Sequence, residues 1–201
     1  MTAHDLSSPA RGGGVGERSE TTEGATPSIG HAPSGPSGQL PRERGRTDVT
    51  LTSEPFDAGE LLSAFSADRL DTGGVVSFTG LCRRDGDVLV LELEAYPGFT
   101  EAAIAGEVEA VSAARALHDA QVVHRVGRVA PGEAIVFVAT AAAHRRDAFL
   151  AADRLMDFLK SRAPFWKKEH TLAGSRWIEP RAQDYEDASR WDAAAEDATR
   201  R

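Results

Sequence analysis

Cysteine is nearly missing from this chain: one residue, Cys82, in 201. A single thiol closes no internal disulfide, and it excludes zinc or iron–sulfur sites built from several cysteines. Aromatic residues make up only 6% of the sequence. No apolar run approaches the roughly 18 residues that a membrane-spanning helix needs, and the N-terminus lacks the apolar stretch of a secretory signal. Basic residues are outnumbered, with 23 Lys and Arg against 31 Asp and Glu and a formal charge of -8. A chain of that sign is a poor general ligand for nucleic acid or an anionic membrane. Common catalytic motifs are also missing. Without a GxxxxGK[ST] loop, a GxGxxG turn, an HExxH helix or a GxSxG elbow, readings as ATPase, dehydrogenase, zinc hydrolase or serine esterase fall away. The expectation that survives is a cytoplasmic protein with one modest core.

What is present starts at a composition boundary near residue 48. The stretch 7–46 is Gly, Pro, Ser, Thr and charge, including Gly12-Gly13-Gly14 and Pro33-Ser34-Gly35-Pro36-Ser37-Gly38. It holds too little apolar surface to offset the entropy of ordering, so residues 1–47 are expected to form a disordered extension. Residues 48–180 read as the folded domain and residues 181–201 as a charged C-terminal tail.

Periodicity outlines the elements of that domain. Asp57 ahead of Glu60 forms a capping pair, and Leu61, Leu62 and Phe65 follow on one helical stripe. Val75 to Leu81, entered through Gly73-Gly74, reads as a buried strand. Leu89, Leu91 and Leu93 alternate with Val90, Glu92 and Glu94, the pattern of a half-buried strand. Asp85-Gly86 between these runs predicts a β-hairpin with Arg83 and Arg84 at its tip. Thr100 is placed to cap a second helix, whose Ile104, Val108, Val111 and Leu117 share a face. Gln121 to Val126 and Ala134 to Ala141 read as strands joined through the turn chemistry of Pro131-Gly132. A third helix runs from about Arg146 to Arg162, with Phe149, Ala152, Leu155, Met156 and Leu159 inward, and Pro164 stops it. The order α-ββ-α-ββ-α is not a chain of βαβ units, so the fold class is α+β with a mostly antiparallel sheet and packed helices.

Local charge is the unusual feature. In an acidic chain, Lys160 to Glu169 (KSRAPFWKKE) gathers cations around an aromatic pair. The bend at Pro164 allows Lys160 and Lys167 to face one concave space. Two readings stand for them: an anion site, or a cationic helix C-terminus favoured by the macrodipole and followed by a snorkelling lysine. His144-Arg145-Arg146 sits between a strand and a helix start, where free N–H groups favour an anion. Arg83-Arg84, which taken alone reads as a solvated turn, and Arg176 beside Trp177, whose alternative is an edge-strand stacking pair, are further cationic positions. Cys82 reads as a small hydrophobe near a strand end, and as a thiol nucleophile only if Arg83 lowers its pKa. His124 reads as a satisfied core or surface histidine, while His118 and His170 have no partner at metal-ligand spacing. Glu92 and Glu94 read as the wet face of a strand.

These residues resemble the MoaE family, the large catalytic subunits of molybdopterin synthase. The matching segments are Gly73-Gly74-Val75-Val76-Ser77-Phe78-Thr79-Gly80-Leu81 and Leu93-Glu94-Ala95-Tyr96-Pro97-Gly98-Phe99-Thr100-Glu101. Val123-His124-Arg125-Val126-Gly127, Pro131-Gly132-Glu133 and Ala143-His144-Arg145 continue the pattern. Met156-Asp157-Phe158-Leu159-Lys160, Ala163-Pro164-Phe165-Trp166-Lys167-Lys168-Glu169 and Gly174-Ser175-Arg176-Trp177 close it. Together they cover roughly residues 50–180. The resemblance implies an α/β hammerhead-like variant of the α+β class and a homodimer, with a small ubiquitin-like sulfur-carrier subunit docked on each copy. It implies insertion of two sulfurs, from the carrier's thiocarboxylated C-terminal Gly-Gly, into cyclic pyranopterin monophosphate. No bound metal or cofactor is implied for this subunit. Matched by position, Lys160 is the principal catalytic lysine and Lys167 the second. Leu81, Cys82 and Arg83 match a substrate-binding segment, His144 and Arg145 a phosphate-binding pair, and Lys168 and Glu169 the rest of the segment after Lys167. Arg176 matches an anion-binding arginine. Ala95 and Phe99 depart from the histidine and methionine frequent in the family, and Cys82 stands where an aliphatic residue is common.

The chemistry asks for fixed cations on a phosphate and a positive partner for an oxyanion. It also asks for an amine whose pKa is drawn down by like-charged neighbours. Arg83, His144 and Arg145 are candidates for the first role, and Lys160, crowded by Lys167 and Arg145, for the others. The alternative is a non-catalytic module whose cationic pocket receives a partner's anionic C-terminal tail.

Overall fold

A computed structural model describes residues 48–199, with side chains through Asp192; the extension expected over residues 1–47 lies outside the described residues. In chain order the elements are β1 (Asp48–Thr52), α1 (Ala58–Ser66), β2 (Gly74–Leu81), β3 (Val88–Ala95), α2 (Phe99–Arg115) and β4 (Asp119–Arg125). They continue with β5 (Gly127–Val129), β6 (Ala134–Ala142), α3 (Arg145–Ser161), β7 (Phe165–Thr171), β8 (Gly174–Ile178) and α4 (Ala182–Thr199). The strands form two four-stranded sheets, ordered β1-β4-β6-β2 and β5-β3-β7-β8. Among the described residues only the β1–β4 pair is parallel. The α+β class with mostly antiparallel sheets is therefore what the chain adopts. No helix among the described residues is long and apolar enough to cross a membrane.

Alternation of side chains along a strand builds the core on both faces of the first sheet. Val122, Val136 and Val138 face α2 and α3, where Ile104, Val108, Val111, Leu155 and Leu159 meet them. The alternate residues Val123, Phe137, Ala139 and Ala141 face α1 through Leu61 and Phe65. Asp57 caps α1 as its sequence suggests: its Oδ1 accepts the N–H groups of Gly59 at 2.7 Å and Glu60 at 3.0 Å.

Three local expectations are corrected. Strands β2 and β3 do not form a hairpin: β2 pairs with β6 and β3 with β5 and β7. The Asp85–Val88 turn exists (Val88 N–H to Asp85 O, 3.1 Å), but a turn only reverses the chain locally. Burial selects the partner strand, and β6 offers β2 an eight-residue register. Thr100 is not the cap of α2; Gly98, at φ 76°, holds that place. The Thr100 hydroxyl is buried, accepts from Tyr96 N–H and donates to the Pro164 carbonyl, both at 2.9 Å. Phe149 does not face inward but is 61% exposed. Ala148, Ala151 and Ala152 take the inner face because α3 lies close to β6, where Thr140 Oγ1 donates to the Ala148 carbonyl at 2.8 Å.

The residues read as a charged tail form α4, which packs on α3. Asp157 accepts from Arg190 at 2.6 Å and from the Trp191 indole at 2.7 Å, and Arg190 also pairs with Asp153 at 3.0 Å.

Candidate active site

Helix α3 stops at Ser161, and Pro164 turns the chain into β7. Lys160 is exposed in the last turn of the helix. Lys167 lies in β7, aligned with Leu93 of β3 and Ile178 of β8. It shares a strand face with Phe165, whose ring stacks on His124 at 4.1 Å. Burial destabilises the Lys167 ammonium, the Lys160 charge adds to that, and the Asp184 carboxylate opposes it, so its pKa lies below the usual lysine range. The bend thus brings the two lysines within electrostatic range.

Lys168 points to the other face of β7. Its ammonium sits 4.8 Å above the Trp177 ring, and the Trp166 indole donates to Tyr96 Oη at 3.0 Å. Glu94, Ala95, Tyr96, Trp166 and Trp177 line an open pocket of about 200 Å³ on this face. That pocket is aromatic and lies across the sheet from Lys167. Glu169, back on the Lys167 face, accepts from Arg176 Nε and Nη2 at 2.7 Å each, and Asp87 lies 3.7 Å from the same guanidinium. Arg176 is therefore held by two carboxylates.

Leu81 ends β2 on the surface, Cys82 is buried and Arg83 is exposed, 4.0 Å from Asp85. The Cys82 thiol has a raised pKa, first from burial and then from the Glu133 and Glu169 charges. This keeps it protonated, in line with a small hydrophobe packed against Leu93 and Val129. His144 caps the start of α3 without a side-chain hydrogen bond, and Arg145 is its first residue. Gly73 and Gly74 make that corner possible. A Cβ on Gly73 would lie 2.2 Å from the Ala143 carbonyl oxygen, and one on Gly74 would lie 2.9 Å from Arg145 Cα.

The candidates fall into two groups at opposite ends of α3. Leu159 and Val136 belong to the core cluster against which Ile135 and Phe165 pack, and Ile135 also packs on the Cys82 cluster. Lys160, Lys167 and the Cys82–Arg83 segment thus share one end of the domain. His144 and Arg145 mark the other end, since Arg145 precedes Lys160 by fifteen residues of one helix, roughly 22 Å at 1.5 Å per residue. Crowding of Lys160 by Arg145 within one chain is thereby corrected: helix length forbids it.

Two buried polar residues add to the site's surroundings. His124 Nδ1–H donates to the Arg125 carbonyl at 2.8 Å; burial, with a smaller contribution from the Lys167 charge, pulls the pKa of His124 down to about 4. It is a neutral core histidine. Arg125 follows it, and both lie in a strand whose seven residues are all buried. A histidine and an arginine following the apolar Val122-Val123 in a strand run were the available sequence signal for Arg125. On the second sheet, Ser175 Oγ contacts His170 Nδ1 at 2.9 Å and Glu92 pairs with His170 Nε2, a polar chain linking β3, β7 and β8.

The family model described as MoaE protein matches residues 51–162. The molybdopterin synthase catalytic subunit of Caulobacter vibrioides is 62% identical over 148 residues, covering 73% of this chain and 99% of that protein. Among solved structures, the molybdopterin biosynthesis MoaE protein from Burkholderia ambifaria is 38% identical with a TM-score of 0.64, covering 73% of this chain and 99% of that one. A chain in the complex of subunits 1 and 2 of molybdopterin-converting factor from Helicobacter pylori has a TM-score of 0.59 at 17% identity, covering 66% and 91%. At that identity the likeness bears on the fold alone.

Proposed function

The chain belongs to the MoaE family, and from that premise we propose that it is the catalytic subunit of a molybdopterin synthase. It transfers two sulfurs, one from each of two thiocarboxylated tails of small ubiquitin-like carrier subunits, to cyclic pyranopterin monophosphate, in the cytoplasm. The observation that carries the reading is the Pro164 bend, which sets the exposed Lys160 against a half-buried Lys167 with a loosened proton. Once the thiocarboxylate sulfur has bonded to the precursor, water adds to the acyl carbon and the carrier's C–S bond breaks, leaving sulfur on the precursor and a carboxylate on the carrier; negative charge develops on the acyl oxygen as water adds. A preorganised ammonium stabilises that charge where bulk water is excluded. Release of the carrier carboxylate also needs proton transfer, and of the two amines it is Lys167, beside Lys160, whose pKa is lowered by burial. Lys160, free at the helix end, reaches the carrier tail as acid, base or covalent-assisting group, and Lys167 is its electrostatic partner in the sheet.

The phosphate requires fixed cations, and Arg83 lies at the lysine end of the domain. His144 and Arg145 lie at the far end of α3, so in one chain they cannot act on the molecule that Lys160 touches. The active unit is therefore a homodimer in which His144 and Arg145 of one copy complete the site of the other. Symmetric pairing supplies each of the two sites with the same exchange.

Purified Lys160→Ala protein, given precursor and thiocarboxylated carrier, tests the assignment. Product formation is expected to fall at least about a hundredfold, the scale of a lost proton-transfer group, with an unchanged circular dichroism spectrum. Near-normal turnover by the folded variant would end it.

A further inference from the structure

Arg125 is the last residue of β4 and only 3% exposed. A buried guanidinium is costly unless its charge and all its donors are matched. Here the match is partial. Nη2 donates to the Arg128 carbonyl at 3.2 Å, and Nη1 lies 3.8 Å from Glu133 Oε2. Nε and Nη1 have no hydrogen-bond partner among the described residues. An apolar side chain would fill this corner of the core at lower cost, so the charge serves something other than packing.

What the guanidinium meets is the segment formed by β5 and the turn after it, at Arg128 and Glu133. Glu133 Oε2 also accepts the Ala130 N–H at 2.9 Å, closing the turn. The backbone of that turn holds Cys82 from both sides: Cys82 N–H donates to the Glu133 carbonyl at 2.8 Å, and Gly132 N–H donates to the Cys82 carbonyl at 2.7 Å. The Cys82 thiol faces the Val129 carbonyl at 3.8 Å. The next residue is Arg83, whose exposed side chain has, among the described residues, only the solvent-screened Asp85 at 4.0 Å as its ion-pair partner. The position of Arg83 is thus set through its backbone at Cys82, and Cys82 is set by a turn clamped to β4.

We propose that Arg125, acting through Glu133, is a positioning residue that fixes the Leu81–Cys82–Arg83 segment for gripping the substrate phosphate. The inference rests on Arg83 as a substrate-binding residue. A misplacement of about 1 Å at such a group is enough to cost most of its contribution.

Arg125→Met, Glu133→Ala and Arg83→Ala proteins are compared for KM and kcat with the cyclic phosphate precursor, and for melting temperature. Arg125→Met and Glu133→Ala are each expected to raise KM about tenfold with kcat changed less than about twofold, the pattern of lost uniform binding. Together they should do no more than either alone, because they interrupt one chain of contacts. A purely structural arginine would lower the melting temperature and leave KM in place. If Arg83→Ala raises KM while the two folded variants stay within about twofold of the parent, the positioning role is overturned and the reading of Arg83 stands. If Arg83→Ala leaves KM unchanged, that reading falls and the inference with it. Should Arg125→Met fail to fold, Glu133→Ala decides alone, since Glu133 lies at the surface end of the link and is 39% exposed in its side chain.

Discussion

Co-expression of Lys160→Ala and Arg145→Ala chains in equal amounts probes whether one active site draws on two copies. Helix α3 runs from Arg145 to Ser161, so the two substituted positions are roughly 22 Å apart along one rigid element. A proton-transfer group works within hydrogen-bond reach, about 3 Å, and no side-chain rotamer closes that gap within a single chain. Each variant alone has two dead sites per dimer. Random pairing makes half of the dimers mixed, and each mixed dimer holds one site with both residues intact and one with neither. Recovered turnover is then about one quarter of the parental value per site. The assay is dithiolene product formed from precursor and thiocarboxylated carrier, with each variant alone as background. Co-expressing Lys160→Ala with Lys167→Ala is the control: both residues lie at the same end of one chain, so mixing them restores nothing. A Lys160→Ala and Arg145→Ala mixture no more active than its components would refute the shared site.

The histidine beneath Lys167 makes stability depend on acid. With its pKa drawn down to about 4 in the folded chain against about 6.5 unfolded, His124 takes up a proton only on unfolding between those two values. Stability therefore falls as pH drops through that window, by up to about 3 kcal/mol. Denaturant titrations of the parent and of His124→Gln should differ in slope there and run parallel above pH 7; identical slopes would remove His124 as the cause. Gly73→Ala places a methyl group against the Ala143 carbonyl and is expected to cost about 1–3 kcal/mol, as overpacking does, while weakening precursor binding through the neighbouring His144 and Arg145. A variant as stable as the parent in urea would show that the corner yields.

Much of the domain is legible in the order of residues alone because it rests on neighbours in sequence. The Asp57 cap, the Leu61–Phe65 stripe, the Ile104–Val108–Val111 face and the stop at Pro164 are each decided within a turn or two of chain. The run from Lys160 to Glu169 carries the family resemblance, and the proximity of its two lysines follows from the bend. Even the distance between Arg145 and Lys160 is implied by their spacing in a helix, although grouping residues by charge alone sets them side by side. Tertiary structure decided the rest. Strand β2 found β6 rather than β3, and this put the Cys82–Arg83 segment on the 130–133 turn instead of a hairpin tip. Cross-strand register gave Arg176 to Glu169 and Lys168 to Trp177. Burial between β3 and β8 loosened the proton of Lys167. Capping and periodicity are local energies, whereas strand partners and desolvation depend on which distant surfaces the whole chain removes from water together.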